Sequence, residues 1–293
     1  MQILKRIQTS NYYNGSDWNF EKTEKYLIDF HNDIIEVGFF EHYNSGQYVK
    51  SVIELPVSFG CVMGCKFCAS SVKTKCKIID ENEMYELFDL IYSEKHLYDK
   101  EVVLVTLTGS GDISYNFTNA INFLLKITNM YANIVTTVSS ANWNVEMFQT
   151  LLSLKTIIRL RNIQLTFIHH DILKTNSVIA NRVNGIAYEE LWKMISRSDF
   201  FSFRINYICI SGLNDTVEDF TEFVNKIKLI KEHVVVRISM LNETKVSVLN
   251  NLSASDKLVM DKFSNILNKY DIKNYMFYSL NNDNMSCGQL ISE

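Results

Sequence analysis

Cys61, Cys65 and Cys68 stand in the run Ser58-Phe59-Gly60-Cys61-Val62-Met63-Gly64-Cys65-Lys66-Phe67-Cys68, a Cys-x3-Cys-x2-Cys spacing on a loop after the apolar segment Val52 to Phe59. Thiols this close on a flexible loop can converge on one metal centre, because thiolate is a soft ligand. A disulfide would leave one of the three unpaired. A tetrahedral zinc site needs a fourth ligand, and Cys76 could offer one. An iron–sulfur reading is stronger. Three thiolates on a [4Fe–4S] cubane leave one iron open to a further ligand, which suits a catalyst. Clustering this tight also argues against three inert core cysteines.

The elements that must hold this loop repeat along the chain. Residues 1–32 are polar and aromatic, with a helix expected over about Phe20 to His31. Ile34 to Phe40 and Tyr48 to Ile53 flank Asn44-Ser45-Gly46 and read as a β-hairpin leading into the cysteine loop. A helix is expected over about 80–97, where Asp80 and Glu83 fit an N-cap and capping box. Strands are then expected at Val102–Leu107, Ile134–Val138, Ile163–Ile168, Phe203–Ile210 and Val234–Met240, with a short one at Tyr275–Leu280. Helices between them fall at about 117–131, 144–154, 187–197, a segment capped by Asn214/Asp215 and ending near Lys231, and 255–269. Repeated βα units imply a parallel sheet. The expected fold class is α/β: a partial (β/α)6 barrel spanning 51–293, behind a short N-terminal α+β extension of helix and hairpin over 1–50. In such barrels chemistry gathers at the C-terminal ends of the strands.

Composition narrows the function classes. The chain has 293 residues, 47% hydrophobic and 21% charged, which is ordinary for a globular protein. Its 29 basic and 33 acidic residues give a net charge of −4, so no global field draws it to nucleic acid. Residues 1–50 carry five basic and seven acidic side chains and are not a basic arm. Met1 to Arg6 lacks a signal-peptide core, and no apolar run is long enough to span a bilayer. With most of the six cysteines in or near one loop, a cytoplasmic location without membrane attachment is expected.

The cysteine loop, with Phe67 just before its last thiol, resembles the radical S-adenosyl-L-methionine (SAM) superfamily. That resemblance implies a [4Fe–4S] cluster whose open iron chelates SAM, reductive cleavage to a 5′-deoxyadenosyl radical, and an electron donor such as flavodoxin or ferredoxin. Later stretches are similar to one branch, the RlmN/Cfr-type methyltransferases that modify an adenosine of 23S ribosomal RNA, over roughly residues 48–291. Gly109-Ser110-Gly111-Asp112-Ile113-Ser114-Tyr115-Asn116 resembles the family's Gly-Met-Gly-Glu-Pro-x-x-Asn, which implies that Gly111 and Asp112 meet the SAM amino group. Ser139 matches a SAM-binding serine, although alone it would read as a helix cap. His169 matches the histidine of the family's Ser-Leu-His, whereas a lone strand-end histidine is usually structural. Asn242 matches the asparagine of Ile-Pro-x-Asn-Pro, and its amide is placed to read the adenine or ribose of SAM. Ile205-Asn206-Tyr207-Ile208 and Gly212-Leu213-Asn214-Asp215 track two further family stretches.

Near the C-terminus, Cys287-Gly288-Gln289-Leu290 matches the family's Cys-Gly-Gln-Leu. In the family this cysteine carries a methyl group taken from one SAM, and a second SAM supplies the radical that activates it. The resemblance thus implies catalysis through Cys287 on an sp2 carbon of an adenine-type substrate, RNA or nucleotide, by a monomeric enzyme. Where the rRNA enzymes have a second cysteine, seven residues before the first cluster cysteine, this chain has Glu54. A buried carboxylate there is a candidate base for the adduct. The alternatives are a non-methylating radical reaction on a small metabolite, and a non-catalytic cluster-containing RNA-binding or sensor protein.

Overall fold

Two tight turns set the front of the fold. A computed structural model describes residues 1–12, 18–72, 76–182, 185–278 and 289–290. In it β1 (Gln2–Tyr12), β2 (Phe20–Phe30), β3 (Asp33–Asn44) and β4 (Gln47–Glu54) pair antiparallel in sequence order. His31 and Asn32 (φ 54° and 67°) join β2 to β3, and Ser45 and Gly46 (φ 49° and 80°) join β3 to β4. Two successive left-handed residues make the I′-type turn whose twist matches a hairpin. The hairpin expected across Asn44-Ser45-Gly46 is therefore present. The helix expected over Phe20 to His31 is not: that segment is β2, laddered to β1 on one side and β3 on the other. Its side chains alternate with period two. Glu21, Thr23 and Lys25 are buried on one face, while Tyr26, Ile28 and Phe30 join the apolar core on the other. Pairing on both edges outweighs whatever local preference the segment has.

β4 belongs to two systems at once, antiparallel to β3 and parallel to the first strand of the barrel. The small ribbon β5 (Ser58–Phe59) and β6 (Lys77–Ile78) brackets the cysteine loop. Next come β7 (Val103–Leu107), β8 (Ile134–Ser140), β9 (Leu160–Phe167), β10 (Phe203–Cys209), β11 (Val234–Met240) and β12 (Asn274–Phe277), each parallel to its predecessor. One sheet of ten strands thus runs from β1 to β12 without interruption at residue 50. Its helices are α1 (Glu81–Glu94), α2 (Phe117–Met130), α3 (Val145–Leu154), α4 (Ile172–Val178), α5 (Tyr188–Ser196), α6 (Val217–Ile227), α7 (Lys245–Leu249) and α8 (Lys257–Lys269). Counting from β4, this is the expected partial barrel, with α4 and α7 as short additions after β9 and β11.

Local signals explain most boundaries. Asp80 and Glu83 form the expected capping box of α1. Helix α6 starts later than expected, because Thr216 caps it rather than Asn214 or Asp215. Asn214 is fully buried instead. It accepts the Ile210 N–H and donates to the carbonyls of Ile168 and Ile208, tying the ends of β9 and β10 together.

Along each barrel strand one parity is apolar and packs under the helices, as do Val103, Val105 and Leu107. Burial of each such side chain contributes roughly 1.5–3 kcal/mol. The other parity faces the barrel interior and is largely polar, for example Thr106, Thr137, Asn162, Gln164 and Asn206. The meander curls round far enough for the Trp18 ring to meet Phe277 of β12 edge-on at 6.4 Å. No helix among the described residues is long and apolar enough to cross a membrane.

Candidate active site

The cysteine loop is clamped by its neighbours. Cys65 bridges to Ile179, Lys66 N–H donates to the Val178 carbonyl at 2.9 Å, and Asn181 N–H donates to the Met63 carbonyl at 3.0 Å. The Ser71 hydroxyl donates to the carbonyls of Cys65 and Cys68, and Thr244 donates to that of Phe67. Cys61, Cys65 and Cys68 all line one cavity of about 180 Å3 at the C-terminal end of the barrel. Burial pushes the Cys61 thiol up to about 12 and holds Cys65 well above its ordinary value. A bound cation reverses that preference and deprotonates its thiol ligands.

The arrangement fits a cluster better than a single ion. Mononuclear tetrahedral zinc with bonds of ~2.3 Å brings its sulfurs to about 3.8 Å from one another. Among the described residues, the group of His, Cys, Asp or Glu ligand atoms gathered within 4.8 Å is His169, His170 and Asp219, not the three cysteines. Cys76 is exposed and lies off the cavity wall.

The same cavity takes in Gly109, Gly111, Asp112, Ser139 and Asn242. The glycines serve the chain's own backbone. A Cβ on Gly109 would come within 2.8 Å of Pro56 N, and one on Gly111 (φ +99°) within 2.3 Å of Ser58 Oγ. They let the loop after β7 nest against residues 55–58 beside the cysteines. Asp112 accepts the Ser114 N–H at 2.9 Å, the Ser140 hydroxyl at 2.6 Å and the Ala141 N–H at 2.8 Å. A carboxylate offers about four acceptor sites, so one remains for a ligand cation. The Ser139 hydroxyl accepts from Gln164 Nε2 at 3.1 Å.

Glu54, at the end of β4, faces the same space and accepts the Thr108 hydroxyl at 2.8 Å. Desolvation raises its pKa above the ordinary value, against the opposing field of Lys25 and the Thr108 bond. Of the tail tetrapeptide, Cys287 and Gly288 lie outside the described residues. Gln289 and Leu290 line the cavity. The Gln289 carbonyl accepts from Lys25 Nζ at 2.7 Å, and its side-chain amide donates to the Glu243 carbonyl at 2.7 Å.

His169 is set apart from this group. It is buried behind β9, where Nδ1 accepts the Asp171 N–H at 2.8 Å and Nε2 lies 3.1 Å from Asp219 Oδ1. With Nδ1 accepting, Nε2 must carry the proton, so this nitrogen can neither ligate a metal nor accept from a ligand. Burial, then His170 and Lys174, hold its pKa below the ordinary value. The His169–His170–Asp219 group is therefore a poor cation site.

Several lining residues had no signal in the sequence. Lys25 and Glu36 pair at 3.8 Å with side chains only 7% and 6% exposed. Both fall in the extension, and the strand alternation of β2 was the clue available for Lys25. Arg237 projects from β11 over the Phe277 ring at 4.4 Å, with Nε donating to Asn206 Oδ1 at 2.9 Å.

No protein-family model matches the chain. It is 28% identical over 292 residues, 97% of its length and 80% of the relative's, to a probable dual-specificity RNA methyltransferase RlmN from Clostridium novyi. The protein of the same name from Clostridium beijerinckii is 26% identical over 277 residues, 93% of this chain and 74% of that one. Among solved structures, a radical SAM methyltransferase from Sphaerobacter thermophilus superposes with a TM-score of 0.80 at 16% identity, covering 100% of this chain and 81% of that one. That likeness concerns the fold.

Proposed function

We propose, from the premise that this chain is a divergent RlmN-type radical SAM enzyme, that it methylates an sp2 carbon of an adenine-type ring through Cys287. The observation that carries this reading is one cavity at the barrel top lined by Cys61, Cys65, Cys68, Asp112, Glu54 and Gln289. Cys61, Cys65 and Cys68 would hold a [4Fe–4S] cluster, which with SAM supplies a 5′-deoxyadenosyl radical. Asp112 has acceptor capacity for the SAM ammonium, while Gly111, Ser139 and Asn242 line the space around it.

Cys287 precedes Gln289 by two residues, a connection that reaches at most about 7 Å. The Lys25 and Glu243 contacts of Gln289 therefore support a role for the thiol at this cavity. There Cys287 would carry the methyl group to the ring carbon. Glu54, whose carboxyl burial biases toward the protonated form, is the candidate base for the proton on the attacked carbon. A carboxylate forms no disulfide with Cys287, so release of the sulfur differs from that in enzymes with a second cysteine.

The named relatives are RNA methyltransferases, which supports RNA as one substrate class; a free nucleotide is the other. Intact-protein mass spectrometry after anaerobic incubation with SAM tests the reading. A methyl on Cys287 is expected, and full product formation by Cys287→Ala would sink the thiol relay.

A further inference from the structure

Below the reactive cavity the barrel holds a larger one, of about 560 Å3, in its N-terminal half. That volume lies within the roughly 300–1,000 Å3 of small-molecule sites. The two cavities share Glu54, Thr108, Gln164, Arg237 and Phe277 as a common wall.

Three side chains facing the lower cavity are more than nine-tenths buried and carry a polar atom with no partner: His42 Nδ1 (7% exposed), Thr137 Oγ1 (4%) and Asn162 Oδ1 (5%). Thr137 and Asn162 are register partners on β8 and β9. The His42 Nε2 atom lies 2.9 Å from the Glu21 carboxylate, which fixes its proton on Nε2 and leaves Nδ1 an acceptor. Buried acceptors without a donor are rare because each costs roughly 1–3 kcal/mol. Two such acceptors and one hydroxyl on one wall call for a ligand that brings N–H or O–H donors.

The charge of the cavity specifies the rest. Lys50, Arg161, Arg204, Arg237 and Lys273 face it against Glu21 and Glu54. Arg161 and Lys273 are exposed, so the cationic end is the N-terminal mouth. Trp18, stacked on His42 at 3.8 Å, and Tyr275, with Arg204 5.8 Å from its centroid, add flat surfaces. Donor-bearing ring, aromatic platform and anion-attracting mouth together describe one ligand class.

We propose that the lower half of this barrel is a binding site for a free nucleoside monophosphate, entering through the N-terminal mouth with its phosphate toward Arg161, Arg204 and Lys273 and its base and sugar toward His42, Thr137 and Asn162. As the substrate site of the enzyme, it rests on the reading of the upper cavity above; as a binding site it does not. The β1–β3 wall, meeting β12 through Trp18 and Phe277, encloses this space on the side where a partial barrel is open. A small ligand fits such an enclosure better than a base on folded RNA.

Isothermal titration with adenosine 5′-monophosphate, adenosine, inorganic phosphate and a short adenine-containing single-stranded RNA tests the site on the full chain. The monophosphate should bind saturably, about ten-fold or more tighter than adenosine or phosphate. Arg204→Met, Asn162→Leu and the isosteric Thr137→Val should each weaken it, the first by about ten-fold or more, with unfolding midpoints measured to exclude collapse. No saturable binding, binding indifferent to all three folded variants, or competition by RNA or phosphate as strong as that of the monophosphate would overturn the proposal. SAM cleavage and Cys287 methylation are followed on the same preparations. Monophosphate binding by protein that never methylates Cys287 supports the site while rejecting the upper-cavity chemistry. SAM cleavage without such binding overturns this site alone.

Discussion

Lys25 and Gln289 are 264 residues apart, yet the Lys25 ammonium donates to the Gln289 carbonyl at 2.7 Å inside the barrel mouth. The same ammonium stands 3.8 Å from Glu36. A single strand of the meander thus neutralises a buried carboxylate and anchors the segment that follows Cys287. Lys25→Met should destabilise the fold by about 3–5 kcal/mol, because removing one partner of a buried pair strands the other charge. Lys25→Met/Glu36→Gln should recover at least part of that loss. Equal or greater loss in the double variant, measured by urea unfolding, would show that the pair is not what the strand contributes.

Replacing Cys61, Cys65 or Cys68 by Ala should each abolish bound iron and SAM cleavage, whereas Cys76→Ala should retain both. The contrast follows from placement: three cavity-lining thiols against one exposed thiol off the wall. Iron analysis and the charge-transfer absorption of anaerobic protein report the outcome. Loss of iron in Cys76→Ala, or zinc in place of iron, would refute the cluster assignment.

Asp112→Ala should weaken SAM binding about ten-fold or more, since a charge-assisted hydrogen bond is worth roughly 1.5–3 kcal/mol. The variant also loses three internal hydrogen bonds of that carboxylate. Ser140→Ala removes one of them and leaves the carboxylate in place, so it separates the two effects. SAM affinity should respond to Asp112→Ala and far less to Ser140→Ala; equal weakening would reduce Asp112 to a loop anchor.

Glu54 predicts a pH dependence of stability with a definite sign. Desolvation is the largest influence on its carboxyl and raises its pKa in the folded protein above the ordinary value of 4.5. The folded state therefore favours the protonated form. Its contribution is fully present below the unfolded pKa and is lost as pH rises through the folded one. Glu54→Gln should remove that loss, so the variant gains on wild type between acid and alkaline pH. A pH-independent difference between the two unfolding curves would mean that Glu54 is solvated. With substrate and SAM present, the same variant should accumulate a covalent Cys287 adduct.

From Val52 onward the chain announces itself, because the strands are short and apolar on one parity and most are followed by an amphipathic helix, several of them with a side-chain cap. Asp80 and Glu83 could be placed to the residue by their chemistry. The meander was harder. Phe20–Phe30 owes its conformation to ladders on both edges, and sequence-local reasoning cannot see a partner strand. His31-Asn32, a turn whose two residues both take positive φ, was hidden at the end of the supposed helix. The cysteine loop and its neighbours were legible as motifs, yet His169 had only its motif to speak for it. Its ring nitrogens turn out to be committed to Asp171 and Asp219. The lower cavity was illegible altogether. It exists because β2 and β3 bring Glu21, Thr23 and His42 round to face strands more than a hundred residues further along.

The dual allegiance of β4 bears on how the protein is made. Within the meander, β1 to β4 pair only with sequence neighbours, so it has short loops to close and can form before β7 is available. Its last strand then waits for β7, and meanwhile shows an unpaired edge at Ser51 to Glu54 next to the apolar Leu55 and Val57. An exposed strand edge of that composition recruits other chains. Until the β4–β7 ladder forms, that edge is where one partly folded chain would join another, and pairing with β7 ends the hazard.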